Sequence, residues 1–216
     1  MPDHGKLMHL FLIRDDKSAI AHLHPQEVAR DHFRAAVPAL PAGHYRVFAD
    51  ITHESGYAQT LIDRIDVPNA SPPKTDADDV TYAAGAAQPA VTTMTSPAQV
   101  ATNRECELRF LVRDSSGKAA VIEPYMGMLG HAVIVSDDFS LFVHLHPMGS
   151  VSMASQMRFA ARDKVPFDMR AMMPAASSDG VVSFPFEFPR SGRYHVWVQT
   201  KVNGEIVTGA FVVNVV

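Results

Sequence analysis

The chain has 216 residues, of which 47% are hydrophobic and 19% charged, with a formal net charge of -4. That length and apolar share can bury a core in two small domains or one large sandwich. The mild acidity, without any cluster of Lys or Arg, excludes the basic field that nucleic acid or anionic lipid requires. No apolar run approaches the roughly 18 to 20 residues that span a bilayer. The start, Met1-Pro2-Asp3, lacks the charged-then-apolar layout of a signal peptide, so no membrane insertion is expected of this chain.

Cys106 is the single cysteine, which rules out an intrachain disulfide and a cysteine-based zinc knuckle. Against it stand 11 His and 11 Met. These are the donors left to a copper site that works without thiolates, although Met also serves as adaptable core filling.

In chain order, residues 2–25 read PDHGKLMHLFLIRDDKSAIAHLHP and align without a gap on residues 124–147, PYMGMLGHAVIVSDDFSLFVHLHP. Downstream, LPAGHYRVFADIT (40–52) matches PRSGRYHVWVQT (189–200), and QTLIDRIDV (59–67) matches VTGAFVVNV (207–215). The chain therefore contains one unit twice. The Pro/Ala/Asp-rich segment 68–79 reads as a linker between repeat 1 (1–67) and repeat 2 (80–216). Repeat 2 opens with about 40 residues of strand pattern that repeat 1 lacks, so the first domain is expected to miss its N-terminal strands and to be completed by a strand from elsewhere, another chain included. A homodimer is one form that completion takes. Short strands rich in Val, Ile, Phe and Tyr, broken by Pro, Gly and Asp, predict an all-β fold of two tandem immunoglobulin-like β-sandwiches. A Met-rich insertion at 148–174 is peculiar to repeat 2 and holds a helical turn or a long loop.

Each copy carries a hairpin with three histidines. If the turns centre on Asp15-Asp16 and Asp137-Asp138, His9 falls across from His22 and His131 across from His144, with His24 and His146 two residues on and on the same face. His9, His22 and His24 then converge, as do His131, His144 and His146, and three imidazoles can surround one ion at about 2.0 to 2.1 Å each. A loop of odd length would send the histidines to opposite faces. Pro25 and Pro147 are expected to end the second strand. The alignment sets His4 on Met126, so either residue is a fourth donor, and Met126, Met128 or Met148 would soften the second site toward Cu(I). The remaining methionines, Met153, Met157, Met169, Met172 and Met173, either pass Cu(I) along a surface or cover an apolar face. His32, His44, His53 and His195 read as ordinary surface or core residues, and Tyr45 and Tyr194 as packing residues. No nucleophile elbow, phosphate loop, dinucleotide fingerprint or paired carboxylates are present, so no enzymatic activity is expected.

By the motifs GKLMH…DD…HLHP and EPYMGMLGH…DD…HLHP, the chain resembles a group of bacterial secreted or periplasmic proteins with tandem immunoglobulin-like domains and GH…HxHP motifs, associated with copper handling. The resemblance implies cupredoxin/FixH-like sandwiches and a periplasmic or extracellular location. It further implies copper, Cu(I) or Cu(II), as the bound metal, with zinc as the alternative, and an envelope protein as partner. The competing expectation is a structural module of an envelope assembly, in which the histidines only hold the fold. A copper oxidase would additionally need an open coordination position and a substrate cleft, neither of which is legible here.

Overall fold

The computed structural model describes residues 1–68, 78–85, 91–95 (backbone course only), 100–114, 116–168 and 175–216. The expected linker thus lies largely outside the described residues, as do Met169, Met172 and Met173. The fold is all-β and sandwich-like, with one helix among the described residues. That helix is too short and polar to cross a membrane. The chain divides into two compact units, 1–86 with 152–167, and 87–151 with 168–216.

The first unit contains β1 (His9–Arg14), β2 (Ala19–Leu23), β3 (Gln26–Ala29), β4 (His32–Arg34), β5 (Gly43–Thr52), β6 (Ala58–Val67), β7 (Val80–Ala83) and α1 (Met153–Asp163). Its main sheet runs β6-β5-β1-β2-β7, all neighbours antiparallel, and β3-β4 form a separate hairpin. Strand alternation separates two faces. Leu10, Leu12, Ala21, Leu23, Tyr45, Val47 and Ile65 gather in one cluster with Leu40, while His9, Phe11, Ile13, Ile20, His22 and Phe48 occupy the other face and are also buried.

The second unit contains β8 (Val91–Thr95), β9 (Glu105–Val112), β10 (His131–Ser136), β11 (Phe142–Leu145), β12 (Val181–Glu187), β13 (Gly192–Val202) and β14 (Glu205–Val215). Two sheets, β11-β10-β13-β14 and β12-β9-β8, share one core. Leu108, Phe110 and Val112 of β9 and Val182 and Phe184 of β12 meet Ala132, Ile134, Tyr194, Val196 and Val198 of the facing sheet. Every second residue of these strands points inward, as a two-sheet core demands.

The order β2-β1-β5-β6 reproduces β11-β10-β13-β14, and among the described residues the first unit has no counterpart of β12-β9-β8. The boundary differs from expectation. Residues 80–83, assigned to repeat 2, form β7 and pair with β2, so the added strand comes from this same chain. Part of the expected insertion also belongs to the first unit. It folds as α1, capped by Ser152, whose hydroxyl accepts from the Ser155 amide and bonds Thr52 Oγ1 at 2.9 Å.

The hairpin register departs from the expected one by two residues. Phe11, not His9, lies across from His22, and Val133, not His131, lies across from His144. The turns do centre on Asp15-Asp16 and Asp137-Asp138, closed by the Lys17 amide on the Arg14 carbonyl at 2.8 Å and the Phe139 amide on the Ser136 carbonyl at 2.9 Å, but each loop runs to four residues, 15–18 and 137–140, before pairing resumes. The Asp16 carboxylate accepts from the Ser18 amide at 2.9 Å and that of Asp138 from Ser140 at 3.0 Å. Lys17 and Phe139 take left-handed conformations, φ 62° and 59°, to close the turn. A shift of two preserves parity, so the histidines keep a common face.

Tyr45 and Tyr194 do more than pack. Their hydroxyls donate to the carbonyls of Pro41 and Arg190, at 2.7 and 2.8 Å. This is the tyrosine corner found in immunoglobulin-type sandwiches. Tyr45→Phe and Tyr194→Phe should each cost about 1 kcal/mol, the worth of one such bond. Urea denaturation checks this, and a change in only one copy would show that the corners are not equivalent.

Candidate metal centre

Each three-histidine group is assembled by one hairpin. His9 opens β1, His22 lies in β2 and His24 follows it. His131 opens β10, His144 lies in β11 and His146 follows it. With the observed register, the residue opposite His9 is His24, and His22 lies diagonally. All six are buried, between 0% and 5% exposed.

The two groups match closely. Ring centroids stand 5.3 Å apart for His9 and His22, 5.2 Å for His9 and His24, and 4.6 Å for His22 and His24. The corresponding distances in the second unit are 5.6, 5.1 and 4.4 Å, and the interplanar angles agree within about 13°. In the second group one nitrogen from each of His131, His144 and His146 lies within 4.8 Å of the others. In the first, His24 stands beside His9 and His22 by ring proximity without its nitrogens closing a triple of that span, and His9 Nδ1 and His22 Nε2 are 3.1 Å apart. About 3.3 Å separates two ligands of a tetrahedral ion with bonds near 2.0 Å, so this spacing also suits a shared ion.

The tight turns ahead of β1 and β10 orient the first histidine of each group. Residues 3–6 and 125–128 close reciprocal backbone bonds, with His4 and Met126 both at φ 50°. This places the Asp3 carbonyl 3.2 Å from His9 Nε2 and the Tyr125 carbonyl 3.2 Å from His131 Nε2. A carbonyl can only accept, so Nε2 carries the proton and the Nδ1 lone pair faces the other histidines. This is the outer-shell arrangement usual for a ligating imidazole. Phe11 stacks on His22 at 4.3 Å and fixes that ring as well.

His4, proposed as a fourth donor, has a buried side chain with its ring 6.4 Å from that of His9 and Nε2 3.7 Å from Asp3 Oδ2. Met126 is half-buried at the matching turn position, Met128 is buried, and Met148 is half-buried. The other histidines bond to neighbouring polar groups. His32 bonds the Arg30 carbonyl, His44 bonds Asp66, His53 bonds Gln59 and His195 bonds Asp137. Cys106 lies elsewhere, in β9, and burial pushes its thiol pKa up, with Glu105 adding to the effect.

Three carboxylates around the first group were not anticipated. Asp79, just ahead of β7, accepts the His24 amide at 2.8 Å, and the same oxygen stands 3.3 Å from His24 Nδ1. Asp50 is registered directly across from His9. Asp3, 6% exposed, accepts the Ala154 amide at the start of α1 at 2.9 Å. The second unit carries Tyr125 and Gln199 where the first has Asp3 and Asp50.

The fold and these twin groups define an all-β protein in which a buried cluster of three histidines occurs twice. The chain belongs to the family described as Domain of unknown function (DUF8832), whose model matches residues 1–67 and 87–216. No curated protein matches it. Among solved structures it is similar to "Crystal structure of the S-layer protein SbsC domains 4 and 5", with 9% identity, a TM-score of 0.30 and 97% of each chain covered.

Burial raises the Asp50 pKa to about 6, the Asp3 charge adds to the rise, and the Thr60 hydroxyl opposes it. An acid whose folded pKa is raised stabilises the fold below its unfolded pKa, and that contribution is lost as pH rises from about 4 to about 6. Asp50→Asn should therefore stabilise the metal-stripped protein at pH 7.5 by up to about 3 kcal/mol and have little effect at pH 4. Thermal melts at the two pH values check the sign.

Proposed function

We propose that this is a copper-binding protein of the bacterial cell envelope, periplasmic or secreted, that stores, delivers or sequesters copper. His9, His22 and His24 hold one ion; His131, His144 and His146 hold the other. His4 and Met126 are the fourth donors. The observation that carries this reading is the construction of one buried imidazole geometry twice, on sequences that otherwise differ in most core positions.

Packing alone gives little reason for it. Burying an imidazole costs free energy unless both nitrogens are engaged, and Val or Ile would fill these strand positions without that cost. His24 Nε2 is buried and has no hydrogen-bond partner among the described residues. A bound cation would supply the missing interaction. Imidazole and thioether donors without thiolate suit copper, while three imidazoles also accept zinc. The copper and envelope assignments rest on this donor set and on the motif resemblance.

A second reading draws on the 3.1 Å contact between His9 Nδ1 and His22 Nε2, which is also a good hydrogen-bond distance. There the histidines hold a module that docks an envelope partner, and no ion is retained.

Titration of the metal-stripped protein with Cu(I), Cu(II) and Zn(II) separates the two. Tight uptake that falls by one ion per chain in the double variant His144→Ala, His146→Ala supports the metal reading. Uptake that is absent or indifferent to these histidines supports the structural module.

A further inference from the structure

The imidazoles are alike in the two units, but the charges around them are not. In the first unit, Asp3, Asp50 and Asp79 surround the group: Asp79 through His24, Asp50 across from His9, and Asp3 beside His4. The side chains of Asp79 and Asp3 are only 5% and 8% exposed, so bulk water screens them weakly. In the second unit, Tyr125 and Gln199 occupy the positions of Asp3 and Asp50, and Met126 that of His4. Among the described residues Asp79 has no equivalent, nor has β7: the second sheet ends at β11.

Building on the metal-binding reading, we propose that the duplication has produced two centres matched to ions of different charge. The first unit's centre is set for a divalent cation, Cu(II) or Zn(II), and the second unit's for monovalent Cu(I). Three neutral imidazoles leave the full charge of a bound ion uncompensated. In a buried site a second positive charge is costly unless anionic groups stand close by. The first unit supplies such groups within its own fold, and one of them, Asp79, holds the His24 backbone amide and sets a carboxylate oxygen 3.3 Å from His24 Nδ1, on the side of the ring away from Nε2. The second unit supplies neutral oxygens and a thioether sulfur, which match a soft monovalent ion.

The test uses the metal-stripped full chain in competition with chromophoric chelators, for Zn(II) in air and for Cu(I) under anaerobic conditions. The double variant Asp50→Asn, Asp79→Asn keeps side-chain shape and the acceptor for the His24 amide. It should weaken Zn(II) binding about tenfold or more, the scale of outer-shell effects, and leave Cu(I) binding within about threefold. In a His22→Ala, His24→Ala background, Gln199→Asp should raise the Zn(II) affinity of the remaining centre by a similar factor. Equal weakening of both ions in the first variant, or no change in either, overturns the charge matching while leaving the metal sites standing. Uptake that ignores both His22/His24 and His144/His146 overturns the metal reading and this proposal with it.

Discussion

Because side chains alternate across a strand, the turn that joins two strands decides which residues share a face, and an error of one residue would scatter every histidine named above. The two hairpins avoid that error with the same local device. An aspartate at the second central position accepts the amide two residues on, and a left-handed residue follows it. The Ser136 and Ser140 hydroxyls hold the Asp138 carboxyl well below the usual range, so the capping group stays charged and acceptor-only. In the first unit the corresponding aspartate meets Arg14, whose guanidinium also reaches Ser18 Oγ and the Ala42 carbonyl, each at 3.0 Å. Gly43 makes room for this, since a Cβ there would stand 2.9 Å from Arg14 Nε. Different chemistry thus fixes the same register twice.

The histidines lie on the sheet face opposite the Leu/Val/Tyr cluster in each unit. The strands bearing them are consequently apolar on one side and mixed on the other, where Phe11, Phe48, Val133 and Trp197 flank the imidazoles. Aromatic and aliphatic neighbours leave the rings few rotamers and keep the site away from water, which strengthens every electrostatic interaction within it. Preorganisation of this kind depends on the same alternation that builds the core, so site and fold are not separable by single substitutions in β1 or β10.

Much of this was legible in the sequence. The gapless repeat announced the duplicated hairpins, and the shared HLHP endings placed the second and third histidines correctly. The register differs by two because the expectation counts a two-residue loop, whereas the left-handed Lys17 and Phe139 and the Ser18 and Ser140 amides bonded to Asp16 and Asp138 extend each loop to four residues. The carboxylates escaped notice for two reasons. Asp50 and Asp3 align with Gln199 and Tyr125, a difference visible only once the repeats are compared for what they do not share. Asp79 immediately precedes a strand whose pairing with β2 no local pattern encodes. The membership of β7 and α1 in the first unit was hidden for the same reason: long-range pairing leaves no periodic signal.

The placement of α1 affects how the molecule can be made. Asp3 and the Ala154 amide it accepts from are separated by 151 positions, and the whole of β8 to β11 lies between them in sequence. A ribosome adding about 5 to 20 residues per second exposes the first unit's sheet many seconds before the helix that completes it. During that interval the sheet has to persist without its last element, or remain open to rearrangement while the strands of the second unit emerge. Closing so long a loop carries an entropic cost of its own. The two units therefore cannot mature one after the other in order of synthesis, and completion of the first is tied to translation of the second.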